Sequence, residues 1–159
     1  MFRFLTIAAA IVAVPAAAQQ RVSGPTFIAK AGASDQFEIQ SSQLLLGTTR
    51  NQGLRRYATM MIRHHTKSTG DVKAAARRAG LVAPPPRLEP MQRANIAALR
   101  RVSGVRRDRL YVQQQRVSHR MALQLHQGYA RNGTVRPLRA AATTIVPVVR
   151  QHLAEIQAM

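Results

Sequence analysis

The chain has 159 residues, no cysteine, and 24 Lys and Arg against 6 Asp and Glu. That length suits one domain, and the missing cysteine excludes disulfides, zinc–thiolate sites, iron–sulfur clusters and cysteine nucleophiles. With aromatics at 4 % and no Trp, the core must come from Ala, Leu, Ile, Val and Met, which favours closely approaching helices.

Residues 1–18 read as a secretory signal peptide. One arginine (Arg3) precedes an apolar run from Leu5 to Val14, and Pro15-Ala16-Ala17-Ala18 offers a small-residue cleavage site before Gln19. The run is too short to span a bilayer, and no later segment approaches the roughly 20 apolar residues that a spanning helix needs. Export to a periplasm, without a transmembrane segment in the mature chain, is the expected localisation. Residues 19–24 form a polar leader, and 25–159 form the folded domain.

Pro25 suits a first helical turn. From Thr26 to about Leu46, one seam reads Phe27, Ala31, Ser34, Glu38, Ser41, Leu45, in alternating steps of four and three, the pattern of a bundle helix. Gly47 to Asn51 is a turn, with Asn51 a good N-cap. The second helix runs to about Ala79 and stops at Gly80. Its seam is Leu54, Ala58, Met61, His65, Ser68, Val72, Ala75, Ala79. His64 lies about 100° round from His65, so His65 faces inward and His64 flanks it.

Pro84-Pro85-Pro86 makes a stiff connector. A short helix over Met91 to Val102 follows, ended by Ser103-Gly104. This passage is long enough to cross from one end of a bundle to the other. The third long helix runs from about Val105 to Arg131, with the seam Asp108, Val112, Gln115, His119, Ala122, His126, Tyr129. The last starts near a Thr134 N-cap with Pro137 in its first turn, and its seam is Leu138, Ala142, Ile145, Val149, His152, Ile156. Pro147 removes an intrahelical hydrogen bond and is expected to kink it. The fold class is therefore all-α: a four-helix bundle with an additional short helix between the second and third long helices.

Glu38, His65, His119 and His152 come one from each long helix, all at seam positions. Helix bundles build metal sites this way. Neutral imidazole and carboxylate suit one divalent transition metal such as Zn, Cu, Fe or Ni, with His64 or Asp108 supporting the ligands. Two other readings stay open: a buried hydrogen-bond network without metal, and unrelated core histidines of the kind His126 exemplifies. Counting from the first turn, Glu38 and His65 differ in depth by roughly 7 Å at 1.5 Å per residue, so the four residues either converge or form two stacked layers. No Ser-His-Asp or paired-carboxylate arrangement stands out, so no catalytic residue is assigned and the balance is against an enzyme.

Of the 24 cationic residues, 21 are arginine, permanently charged and suited to phosphate or carboxylate. Arg100, Arg101, Arg106, Arg107 and Arg109 crowd a helix start, a candidate anion site; the alternative is a merely solubilising surface. Partners expected for so basic a chain are anionic envelope surfaces or polyanions. Sequence-specific nucleic-acid binding is not expected, because there is no recognition motif and little aromatic surface for stacking.

Four segments in order carry a family resemblance: Phe27-Ile28-x-x-Ala31 with Glu38; Met60-Met61-Ile62-x-x-His65-Thr66-Lys67; Asp108-x-x-Tyr111-Val112 with His119; and Pro147-Val148-x-x-x-His152-Leu153. Together they resemble the exported bacterial family known as domain of unknown function 4142, over roughly Pro25 to Met159. The resemblance implies a signal peptide and a ferritin-like helical bundle, and no established activity. His64 stands where relatives usually carry Asp, and Arg107 where they usually carry Phe. The twin histidine is also similar, over a short stretch, to a second exported helical family suspected of metal handling. The di-iron ferritin pattern of four carboxylates and two Glu-x-x-His pairs is absent. The functional expectation is an exported helical bundle that holds a metal, for storage, sensing or envelope stress protection; the alternative is a basic protein adhering to anionic surfaces.

Overall fold

A computed structural model describes residues 21–159, so the expected signal peptide, its expected cleavage point and the first residues of the expected leader lie outside the described residues. The described residues are helical, with no strand among them. Five helices follow in order: α1 (Gly24–Leu46), α2 (Gln52–Arg78), α3 (Pro90–Arg100), α4 (Gly104–Asn132) and α5 (Arg136–Gln157). None is long and apolar enough to cross a membrane.

Local chemistry sets the ends. The Ser23 hydroxyl accepts from Thr26 N at 3.2 Å and starts α1 at Gly24, ahead of the expected Pro25. Asn51 Oδ1 accepts from Leu54 N at 3.1 Å and starts α2. Pro90 occupies the first turn of α3, where its missing N–H costs nothing. Gly80 (φ 67°) and Gly104 (φ 53°) adopt left-handed backbone at the end of α2 and the start of α4. One cap differs from expectation. Val135, not Thr134, holds the N-cap position of α5, without a side-chain bond, and Pro137 at the second helical residue sets the start instead.

α1 packs against α2 and α4, and α5 packs against α2 and α4. The core falls into two apolar clusters. One joins Phe27, Ala31, Val72, Ala75, Tyr129, Leu138 and Ile145. The other joins Phe37, Leu45, Tyr57, Met61, Leu99, Tyr111 and Ile156. Along every long helix buried polar residues lie where these clusters meet: Asp35 and Glu38 on α1, His65 and Ser68 on α2, Gln115 and His119 on α4, His152 on α5. Cluster order also gives direction. α1 and α5 run one way and α2 and α4 the other, so the proline connector and α3 return the chain to the opposite end. α3 seals that return by packing on α1 and α4.

Candidate metal centre

Steps of three and four residues carry one face of each long helix into the polar layer. His65 lies between Met61 and Val72 on α2, His119 between Gln115 and Ala122 on α4, and His152 between Val149 and Ile156 on α5; all three are at most 3 % exposed. Their ring centroids form a near-equilateral triangle: 5.6 Å from His65 to His119, 5.4 Å from His65 to His152, and 5.4 Å from His119 to His152. One nitrogen from each ring lies within 4.8 Å of the other two. A tetrahedral ion with metal–nitrogen bonds of about 2.0–2.1 Å sets its nitrogens roughly 3.4 Å apart, which small rotations of the three rings would supply.

The nitrogens divide cleanly into partnered and free. His65 Nδ1 meets Asp35 Oδ1 at 2.8 Å, and Asp35 Oδ2 accepts from Thr69 Oγ1 at 2.9 Å. His119 Nδ1 meets the Gln115 carbonyl at 3.0 Å. His152 Nε2 meets His64 Nδ1 at 2.8 Å, with the two rings stacked 5.1 Å apart. The opposite atoms, His65 Nε2, His119 Nε2 and His152 Nδ1, are buried without a partner. An unpaired buried nitrogen costs free energy, and three such nitrogens on rings clustered this closely form a set that one cation would satisfy.

Electrostatics differ around the ring. Burial works to lower the His65 pKa, but the hydrogen bond and charge of Asp35 overcome it and raise the group. His119 is lowered by burial, partly offset by Glu38. His152 is pushed down to about 2 by burial and by the neighbouring histidines His65, His119 and His64. Two of the three imidazoles are thus held as the neutral base that a metal requires.

Glu38 does not share the common point. It is fully buried, and its Oε1 lies 3.6 Å from His119 Nδ1, the nitrogen already bonded to the Gln115 carbonyl. Both its carboxylate oxygens lack a hydrogen-bond partner. The carboxylate at the level of His65 is Asp35, one turn earlier and absent from the seam read in the sequence. Asp35 lies 14 residues before Thr49 and His65 lies 16 after it, a depth difference of only about 3 Å; that count was the available signal. His64 is half-buried and reaches α5 through His152, with Arg63 Nη2 at 3.3 Å on its other side. Asp108 stands apart, lining a cleft of about 850 Å³ with Arg50, Arg109 and Arg116.

Of the arginine run, Arg100, Arg101, Arg106 and Arg109 are exposed. Arg107 is engaged in structure. Its Nε donates to the Leu99 and Val102 carbonyls at 3.0 and 2.8 Å, and its Nη1 to the Leu44 carbonyl at 2.8 Å and Thr48 Oγ1 at 3.2 Å. It caps two helix ends and is not free for an anion. His126 is buried at the Phe27 edge (centroids 5.4 Å apart, planes at 89°), but its Nδ1 has no partner, so it is a core histidine left unsatisfied.

A cleft of about 190 Å³ opens between α2 and α5 and reaches this layer, lined by His64, His65, Ser68, Val148, Val149 and His152 among others.

The chain matches, over residues 10–159, the family described as Domain of unknown function (DUF4142). None of the curated proteins matches it. Among solved structures it is similar to a candidate secreted protein, DUF305, from Streptomyces coelicolor, at 16 % identity and a TM-score of 0.69, over 84 % of this chain and 90 % of that one. It is also similar to a DUF305 fragment from Deinococcus radiodurans, at 15 % identity and a TM-score of 0.73, over 85 % of this chain and 93 % of that one. At such identities the likeness is one of fold.

Proposed function

This chain belongs to the DUF4142 family, and we propose that it is an exported metal-binding protein. In this reading a signal peptide over residues 1–18 delivers a ferritin-like four-helix bundle to the periplasm, where His65, His119 and His152 hold one divalent transition-metal ion. The observation that carries it is the set of three buried, unpartnered imidazole nitrogens, each backed on its other nitrogen by a hydrogen-bond partner. Metal-ligating histidines are held in this manner, with the far N–H on a carboxylate or carbonyl, here Asp35 for His65 and the Gln115 carbonyl for His119; His152 Nε2 donates to His64 Nδ1 in the tautomer that carries the His64 proton on Nε2. Three nitrogen ligands with no thiolate suit copper(II) and zinc best among the divalent ions, with nickel and iron(II) weaker. Glu38 supplies negative charge behind His119 in place of a bond to the ion. Such a protein would sequester metal outside the cytoplasm, a role suited to envelope metal stress.

Elemental analysis of tag-free protein loaded with zinc or copper tests this. One ion per chain is expected, with loss in His65→Ala and His119→Ala variants that keep their helical circular dichroism. Clearly substoichiometric metal, or equal uptake by the variants, would refute the reading.

A second reading rests on charge. Among the described residues the carboxylates that lie within 4.0 Å of a basic nitrogen face Lys67 (Asp71), His65 (Asp35) and His119 (Glu38), so no arginine is paired with an acid. The uncompensated guanidinium groups favour adhesion to anionic envelope surfaces. Binding to anionic vesicles should fall steeply with salt and survive His65→Ala.

A further inference from the structure

We infer that the metal keeps one coordination position open toward the cleft between α2 and α5, and that this position binds a small anion steadied by the Ser68 hydroxyl. The inference rests on the metal reading above and adds a ligand class to it.

Three observations lead there. The first is ligand count. Among the described residues three donors share the common point; Asp35 is committed to His65 and Thr69, and Glu38 lies against Nδ1 of His119, the nitrogen bonded to the Gln115 carbonyl. A site with three protein ligands leaves a fourth place for an exogenous one. The second is access. The cleft contains about 190 Å³ and is lined by both His65 and His152. A single water needs roughly 10–15 Å³ on the same measure, so a diatomic or triatomic ligand fits with room to enter.

The third is Ser68. Several other helical hydroxyls have partners: Thr66, Ser41, Ser118 and Thr144 turn back onto Ile62 O, Glu38 O, Gln115 O and Ala141 O, while Thr69 bonds Asp35 and Ser42 bonds Tyr111. Ser68 has none. It is 7 % exposed, its hydroxyl has no partner, and it lines the cleft one turn beyond His65. A buried hydroxyl donor left unpaired beside a metal site is a ready partner for a ligand atom.

Charge selects the ligand. Three neutral imidazoles leave the charge of a divalent ion uncompensated by its own ligands, which favours an anion at the fourth place. Apart from Thr144 and His152 the α5 wall is apolar (Ile145, Val148 and Val149), so the ligand must be small and shed part of its hydration. Lys67 and Asp71, paired with each other at 2.6 Å, both line this cleft and offset one another, so the selecting charge is that of the metal ion. Azide, cyanide and hydroxide belong to this class.

Azide titration of the copper(II)-loaded mature protein, followed by its charge-transfer absorption, is the test. One azide per copper is expected in the wild type. Ser68→Ala should keep one copper per chain and weaken azide by roughly tenfold or more, the loss of a hydrogen bond to a charged group. Val148→Trp, at a position on the cleft wall, should keep copper and also weaken azide. Stoichiometric copper with no azide response overturns the open position while leaving the metal reading intact. Azide binding unchanged in Ser68→Ala overturns the role of the hydroxyl. No copper uptake at all overturns both proposals together.

Discussion

Asp35→Asn isolates the charge behind His65 from its geometry. The introduced amide can still accept from His65 Nδ1 through its carbonyl oxygen, and its NH₂ can donate to the Thr69 hydroxyl, so both bonds at 2.8 and 2.9 Å have replacements. What is lost is one negative charge. An ion bound at His65 Nε2 would sit roughly 7 Å from that carboxylate, adding the ring width and a bond of about 2.0 Å. At an effective dielectric of about 20, a divalent ion at that distance gains roughly 5 kcal/mol from the carboxylate. The metal-free protein already recovers part of this, because Asp35 also favours a proton on His65. A net loss of about 1.5–3 kcal/mol follows, a weakening of about ten- to a hundredfold. Competition titration against a chromophoric zinc chelator reads the affinity, and circular dichroism confirms the helices. Zinc affinity within about twofold of wild type would refute the reasoning, since the ring would then owe nothing to the charge of its partner.

Three further outcomes follow from the packing. His126, held down to about 4 by burial against an ordinary value of 6.5, favours the folded state fully above pH 6.5. That contribution is lost as pH falls toward 4, by about 3 kcal/mol; His126→Leu should reduce the drop in urea-unfolding stability between pH 7 and pH 4.5 by about 2 kcal/mol. Arg107→Gln should cost about 2 kcal/mol of stability by stranding helix-end carbonyls of α1 and α3, without changing metal stoichiometry in the same protein. Gly133→Ala places a Cβ 2.5 Å from Tyr129 Cε1 and 2.6 Å from the Tyr129 carbonyl, and should lower the thermal midpoint through a loss of about 1–3 kcal/mol.

Much of this architecture is legible in the residues. Alternating steps of three and four, Asn51 and the Pro84-Pro85-Pro86 break place the helices within a residue or two, and the same periodicity brings His65, His119 and His152 inward. Asp35 is not legible from a single seam. α1 packs on α2, α3 and α4 at once, so it buries two adjacent stripes, and Asp35, Glu38 and Ser42 are all interior. Glu38 joins the convergent set in sequence because periodicity fixes the angle around a helix and leaves the height loose; one turn separates the two acids. The fate of Arg107 depends on where the ends of α1 and α3 meet, a tertiary fact that no local pattern encodes. The α2–α5 cleft likewise arises from side chains on two helices distant in sequence. His64 is the clearest example of partial legibility. Its flanking direction follows from helical geometry, but its bond to His152 depends on how closely α5 approaches.

The central claim is that three imidazoles converge on one ion, and X-ray absorption spectroscopy of zinc-loaded, tag-free protein tests it most directly. The expected spectrum has three imidazole nitrogens at about 2.0–2.1 Å with the outer-ring scattering of histidine, and one further light atom in the fourth position. A spectrum with one imidazole or none, dominated by oxygen ligands, would mean that the ion sits elsewhere on the protein and that the histidine layer is a metal-free polar core.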